Sequence, residues 1–111
     1  MSYEITATPT FRKSLKALAK RYRSIKDDFA AFVTSLQDDP FQGDELTPGL
    51  RKIRMAISSK QKGKSGGARV ITYTIVVSAD EGIVYLVDIY DKSDYSTVDV
   101  AKLRKIIQDI E

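Results

Sequence analysis

Apolar residues in the first third of the chain recur at helical spacing, whereas those from Leu50 onward alternate. Tyr3 to Ala7 alternates briefly, which predicts an opening strand. Thr8-Pro9 then supplies an N-cap followed by proline in a first helical turn. Phe11, Leu15, Leu18, Ala19 and Tyr22 fall on one face of the helix that follows, with Lys13, Lys16 and Lys20 off it. Ser24 to Asp27 has the serine-then-acid spacing of a capping box, so a second helix is predicted from Ser24, burying Phe29, Phe32, Val33 and Leu36. Asp38-Asp39-Pro40 stops it, and Phe41 to Gly49 reads as a loop.

The period then changes to two. From Leu50 to Ile57, Ile53, Met55 and Ile57 share one face and Lys52 and Arg54 the other, the pattern of a strand with one side in a core. Residues 58 to 67 are polar, basic and Gly-containing, an exposed connection. Arg69 to Val77 and Ile83 to Tyr90 are rich in β-branched and aromatic residues and flank the turn Ser78 to Gly82, so they should form a hairpin. Ser96 to Asp99 is a second capping box, and Leu103, Ile106, Ile107 and Ile110 give a final helix one apolar face. Strand, helix, helix, three strands, helix predicts an α+β fold in which a helical hairpin covers one face of an antiparallel meander.

The 111 residues suit one domain, 1–111, and 42% apolar with 30% charged residues is an ordinary globular balance. There is no Cys and no His. Disulfides, thiolate metal sites, zinc fingers and Ser-His-Asp triads are therefore excluded, and any catalysis must draw on Lys, Arg, Tyr, Asp, Glu or Ser. The amino-terminal residues lack the apolar core of a secretory signal, and the longest apolar run, Ile83 to Val87, is far too short to span a membrane, so a cytoplasmic protein is expected.

Lys and Arg total 18 against 15 Asp and Glu, a net charge of +3, but the distribution says more than the total. No acid occurs from Leu46 to Ala79, a window that holds Arg51, Lys52, Arg54, Lys60, Lys62, Lys64 and Arg69. The other basic cluster, from Arg12 to Lys26, reads as the solvated face of a helix. Gly63-Lys64-Ser65 imitates a phosphate loop, yet Ser58 stands where that motif needs glycine; Gly63 to Gly66 imitates a GxxG clamp outside its two-helix setting. Asp88, Asp91 and Asp94 read as turn formers or caps rather than as metal ligands. Strand alternation gives Lys52 and Arg54 one parity and Asp88, Tyr90 and Lys92 another, so with Arg69 they can line a single cationic groove. The competing reading is that Arg69 pairs with Asp88 and Lys52 merely solvates a sheet face.

Gly49-Leu-Arg-Lys-Ile-Arg54, Lys62-Gly-Lys-Ser-Gly-Gly-Ala-Arg-Val-Ile71 and Ile89-Tyr-Asp-Lys92 together resemble the RelE/ParE toxin superfamily, and within it the HigB-type branch. The resemblance covers nearly the whole chain. It implies a RelE-like fold, a helical hairpin packed on a four-stranded antiparallel sheet that includes the opening strand, with a C-terminal helix. It also implies the toxin of a type II toxin-antitoxin pair, a ribosome-dependent endoribonuclease that cuts mRNA and is held inactive by an antitoxin protein. No metal or cofactor is implied, since the RNA's own 2′-hydroxyl would attack the adjacent phosphorus.

Carried over residue by residue, Lys52 and Arg54 match the basic positions of the active strand, Arg69 the strand-opening arginine, and Lys92 the basic residue after the last strand. Tyr90 and Tyr95 are both open as the family's tyrosine. The forked donors of Arg54 and Arg69 suit the oxygens of a phosphorane-like transition state, with Lys92 or Tyr90 serving the leaving oxygen. Arg51, Lys60, Lys62 and Lys64 then read as contacts to message or ribosomal RNA. Two other functions fit the same chain: a ParE-like inhibitor of DNA gyrase without nuclease activity, and a noncatalytic RNA-binding module.

Overall fold

The computed structural model describes residues 2–94 and 99–110. Strand β1 spans Ser2–Ala7, helices α1 and α2 span Pro9–Arg21 and Ile25–Asp38, and a short strand β2 occupies Asp44–Thr47. Strands β3 (Leu50–Met55), β4 (Ala68–Val76) and β5 (Glu81–Asp91) form the meander, and α3 covers Val100–Ile110. The fold is α+β, with the strands in one five-stranded sheet of order β1-β5-β4-β3-β2.

Two features depart from a four-stranded antiparallel sheet. β1 lies parallel to β5, because the α1–α2 hairpin and the meander intervene between them and return the chain in the same direction. The segment expected to be only loop contributes β2, antiparallel to the first half of β3. Its sequence, Asp-Glu-Leu-Thr, carries little apolar alternation, and its pairing is set by the turn at Pro48-Gly49, where Gly49 adopts a positive φ of 82°.

Thr8 caps α1 as expected: its Oγ1 accepts from the Phe11 N–H at 3.1 Å and Pro9 follows in the first turn. α2 starts where expected, but Ser24 does not cap it through its side chain; its hydroxyl donates to Asp28 at 2.7 Å instead. The second capping box lies largely outside the described residues, although Asp99 Oδ1 does accept from the Lys102 N–H at 3.2 Å at the head of α3.

The two sheet faces hold separate cores. On one, Phe11, Leu18, Ile25, Phe32 and Leu36 of the helical hairpin pack against Ile53, Met55, Val70, Val84, Leu86 and Ile89. On the other, Leu103 and Ile107 of α3 cover Leu50, Ile71 and Val87, flanked by Tyr73, Tyr85 and Tyr90. Each fully buried Leu, Ile or Phe contributes about 1.5–3 kcal/mol, so both helical layers anchor the sheet. Among the described residues no helix is long and apolar enough to cross a membrane.

The register shifts between Glu45 and Thr47 in β2, and strict alternation fails again in β5. Ile71 pairs with Asp88 while Thr72 pairs with Leu86, so Val87 is an extra residue, a β-bulge. Val84 and Leu86 face the hairpin core, and unbroken alternation would send residue 90 the same way. After the bulge Ile89 takes the hairpin side and Tyr90 the α3 side.

Candidate functional site

The register of the meander builds the site. Arg54 lies opposite Arg69 and Arg69 opposite Tyr90, so these three form one row across β3, β4 and β5. Lys52 sits two residues from Arg54 on the same face of β3. The row lies beyond the patch covered by α3, and Tyr90 borders that core. Lys92 is exposed just past β5, where its N–H donates to the Gly67 carbonyl at 3.0 Å and ties the end of β5 to the loop that precedes Arg69.

Arg69 is only 6% exposed. Its Nη1 donates to the carbonyls of Lys64 and Ala68 at 3.1 and 3.2 Å, and its Nη2 to that of Ser65 at 3.0 Å. The fork that the sequence assigned to a phosphate is thus engaged with backbone oxygens, and its first effect is to fix the loop before β4. Those carbonyls are neutral, so the guanidinium keeps its full charge. Gly67 lets that loop lie against β3, since a Cβ there would come 2.2 Å from the Met55 carbonyl oxygen.

The expected alternative, Arg69 paired with Asp88, does not form. Asp88 keeps the register parity expected with Tyr90, opposite Ile71 and Arg69 respectively, but its carboxylate accepts from the Ser14 hydroxyl of α1 at 2.6 Å. Among the described residues none of Lys52, Arg54, Arg69 and Lys92 has a carboxylate within ion-pair distance. Burial raises the Tyr90 pKa, with Asp88 adding to the rise and Arg69 opposing it, so its phenol stays protonated through the neutral range.

Other basic positions are placed differently. Arg51 has the parity of Ile53 and Met55; its guanidinium meets Glu45 at 3.3 Å and lies over the Phe41 ring. Lys60, expected on an exposed connection, has a side chain only 10% exposed and donates to Asp91 at 2.8 Å. Lys62 and Lys64 are exposed, as a contact to nucleic acid requires.

Asp91 has a fully buried side chain and is the centre of a network the sequence did not signal. It accepts from Lys60, from the Tyr22 hydroxyl, from Arg21 at 3.1 Å, and from the Ser93 N–H and hydroxyl at 3.0 and 2.7 Å. Burial pushes its pKa up, but the bonds from Lys60, Tyr22 and Ser93 outweigh burial and hold the carboxyl well below the usual range. With Asp94 on Arg21 at 2.7 Å and Asp88 on Ser14, the three carboxylates answer to protein donors instead of gathering at one point. The acids are therefore engaged on the hairpin side, and the Arg54–Arg69–Tyr90 row keeps its positive field.

A cleft of about 310 Å³ opens between α2 and the edge of β3, on the hairpin side of the sheet and so around the β3 edge from the row; Asp28, Ala31, Phe32, Gln42, Arg54 and Lys64 are among its lining residues. No sequence pattern marked it. No known protein-family model matches the chain.

Proposed function

We propose that the chain is a RelE-like toxin that cleaves mRNA on the ribosome. The observation that carries this reading is the Arg54–Arg69–Tyr90 row, with Lys52 on the same face and no carboxylate neutralising these cations among the described residues. A face with uncompensated cations and a protonated phenol favours a phosphodiester: cations stabilise charge developing on the non-bridging oxygens, and the phenol can protonate a leaving oxygen.

In this mechanism the RNA's 2′-hydroxyl attacks phosphorus, leaving a 2′,3′-cyclic phosphate and a 5′-hydroxyl. Arg54, exposed at the end of β3, grips a non-bridging oxygen. Arg69 acts by its fixed charge and by holding the loop. Lys52 stabilises charge developing on the attacking 2′-oxygen, whose proton passes to water, while Tyr90 delivers a proton to the 5′-oxygen and regains one from water. The ribosome orients the message for in-line attack, a contribution of several kcal/mol in favourable systems. An antitoxin protein is the expected inhibitor.

The test is primer extension on a message translated in vitro with wild-type protein and with the double variant Lys52→Ala, Arg54→Ala, which spares the structural Arg69. Discrete breaks within codons for the wild type, absent for the variant, are expected. Intact message together with gyrase-dependent linearisation of plasmid DNA would replace this reading with the gyrase inhibitor.

A further inference from the structure

The edge of β3 beside the row is left partly open. The Thr74 N–H donates to the Gly49 carbonyl at 2.9 Å, and β3 and β4 stay in register through Met55. Because alternate residues direct their peptide groups to opposite sides of a strand, those of Arg51, Ile53 and Met55 turn toward β4 and those of Lys52 and Arg54 turn outward. β2 covers that outer edge only as far as Lys52, which pairs with Asp44. The N–H and C=O of Arg54 therefore face the open edge, where the cleft lies.

Around this edge the cleft combines unlike chemistries. Ala31 and Phe32 supply apolar wall, Arg54 and Lys64 also line the space, and so does Asp28, whose carboxylate accepts from the Ser24 hydroxyl at 2.7 Å and the Ser58 N–H at 2.9 Å. The Gln42 amide nitrogen donates to the Ser35 hydroxyl at 3.2 Å, which leaves the amide oxygen as an acceptor. A backbone donor and acceptor on one residue match the hydrogen-bonding edge of a planar heterocycle, and the exposed Lys64 matches its phosphate. The open edge is short, lying between the end of β2 and the helical turn at Ser58–Lys60, whereas an added peptide strand needs a longer run of free peptide groups.

We infer that this cleft is a nucleobase subsite, which holds the base of a nucleotide next to the cleaved phosphodiester and so sets the sequence preference of cutting. The inference rests on the nuclease reading for its biological meaning. Arg54 and Lys64 join the two sites: Arg54 belongs to the row as well as to the cleft wall, and the Lys64 carbonyl is held by Arg69.

Two measurements test it. ¹⁵N-labelled protein is titrated with each of the four ribonucleoside 5′-monophosphates and with inorganic phosphate, following the amides of Ala31, Gln42 and Arg54. One nucleotide is expected to shift all three more than the other nucleotides and more than phosphate. Ala31→Trp, at an exposed α2 position, should abolish those shifts and leave the fold intact by circular dichroism. On translated message the same variant should still cut, with base preference at the break sites reduced on the order of tenfold, the discrimination carried by one bidentate base contact. Equal shifts with inorganic phosphate, binding of an extended peptide in place of nucleotides, or an unchanged break-site distribution in Ala31→Trp would overturn the subsite. If wild-type protein cuts no message, the nuclease reading fails, and the titration alone then decides whether the cleft takes a base.

Discussion

A carboxylate with no solvent exposure keeps its charge only where donors replace water, and at Asp91 they come from α1, from the turn at Ser58–Lys60 and from Ser93. Asp91→Ala leaves the nearly buried Lys60 ammonium without its partner and is expected to cost about 3–5 kcal/mol, read from urea unfolding. The pH dependence has a definite sign. The folded-state pKa is depressed, so the contribution of Asp91 is complete above the ordinary carboxylate value of about 4 and is lost as pH falls further toward the folded value. The stability gap between wild type and Asp91→Asn should hold constant from neutral pH down to about 5 and shrink below about 4. A gap that stays flat into strong acid would show that the network does not depend on the charge. Tyr90 shifts the opposite way, raised chiefly by burial, and its proton is what the proposed chemistry uses. Tyr90→Phe should lower message cleavage by about 10²–10⁴-fold, the usual range for a general acid, while stability falls by no more than about 1 kcal/mol. Cleavage at the wild-type rate in that variant would assign the leaving-group proton elsewhere.

Among the elements, β5 is where sequence logic and structure part company, and the reason is local. The bulge at Val87 disturbs the β5 ladder, and Thr8 docks there: its N–H donates to the Leu86 carbonyl at 3.0 Å, and its hydroxyl lies 3.0 Å from both the Leu86 and Val87 carbonyls. The same hydroxyl caps α1, so one side chain joins helix start, parallel strand and bulge. Thr8→Ala should therefore cost about 1–2 kcal/mol, at the upper end for a lost N-cap, and Thr8→Ser much less; equal losses for both would credit the methyl group and not the hydroxyl. Nothing in Ile83 to Tyr90 announced this, because a bulge in a strand buried on both faces leaves no polar residue out of phase. The helices and the meander were legible, since Phe11, Leu18, Phe32 and Leu36 recur at helical period and Ile53 and Met55 at strand period. The parallel pairing of β1 and the existence of β2 were not, being set by tertiary register and a turn. At the site, Lys52, Arg54 and Arg69 were legible as a group from an acid-free stretch of sequence. Which backbone oxygens would occupy the Arg69 fork, and that Lys60 would turn inward to Asp91, depended on loops that carry no period.

For the molecule as a whole, a net charge of only +3 coexists with a strongly cationic face because the acids are unevenly deployed. Asp91 and Asp94 are engaged with Arg21 and Glu45 with Arg51, away from the row, and Asp88, which acts on Tyr90, is held by Ser14. Position should thus matter more than total charge in binding RNA, and salt dependence separates the two. Affinity for a single-stranded 2′-O-methyl RNA, which cannot undergo 2′-hydroxyl attack, should fall with salt because each neutralised phosphate releases condensed counterions. Lys62→Gln with Lys64→Gln, two exposed side chains on the loop that Arg69 holds, should reduce the slope of log affinity against log salt by about 1.4, or about 0.7 for each phosphate no longer neutralised. Arg51→Gln removes one positive charge as well, yet its guanidinium lies against Glu45 and Phe41 on the opposite parity of β3, so the slope should not change. If Arg51→Gln lowers the slope as much per charge as the lysine pair does, RNA is sensing the molecule's overall charge, and the row has no special claim on phosphate. If only the lysines matter, the cationic face is where the RNA backbone lies.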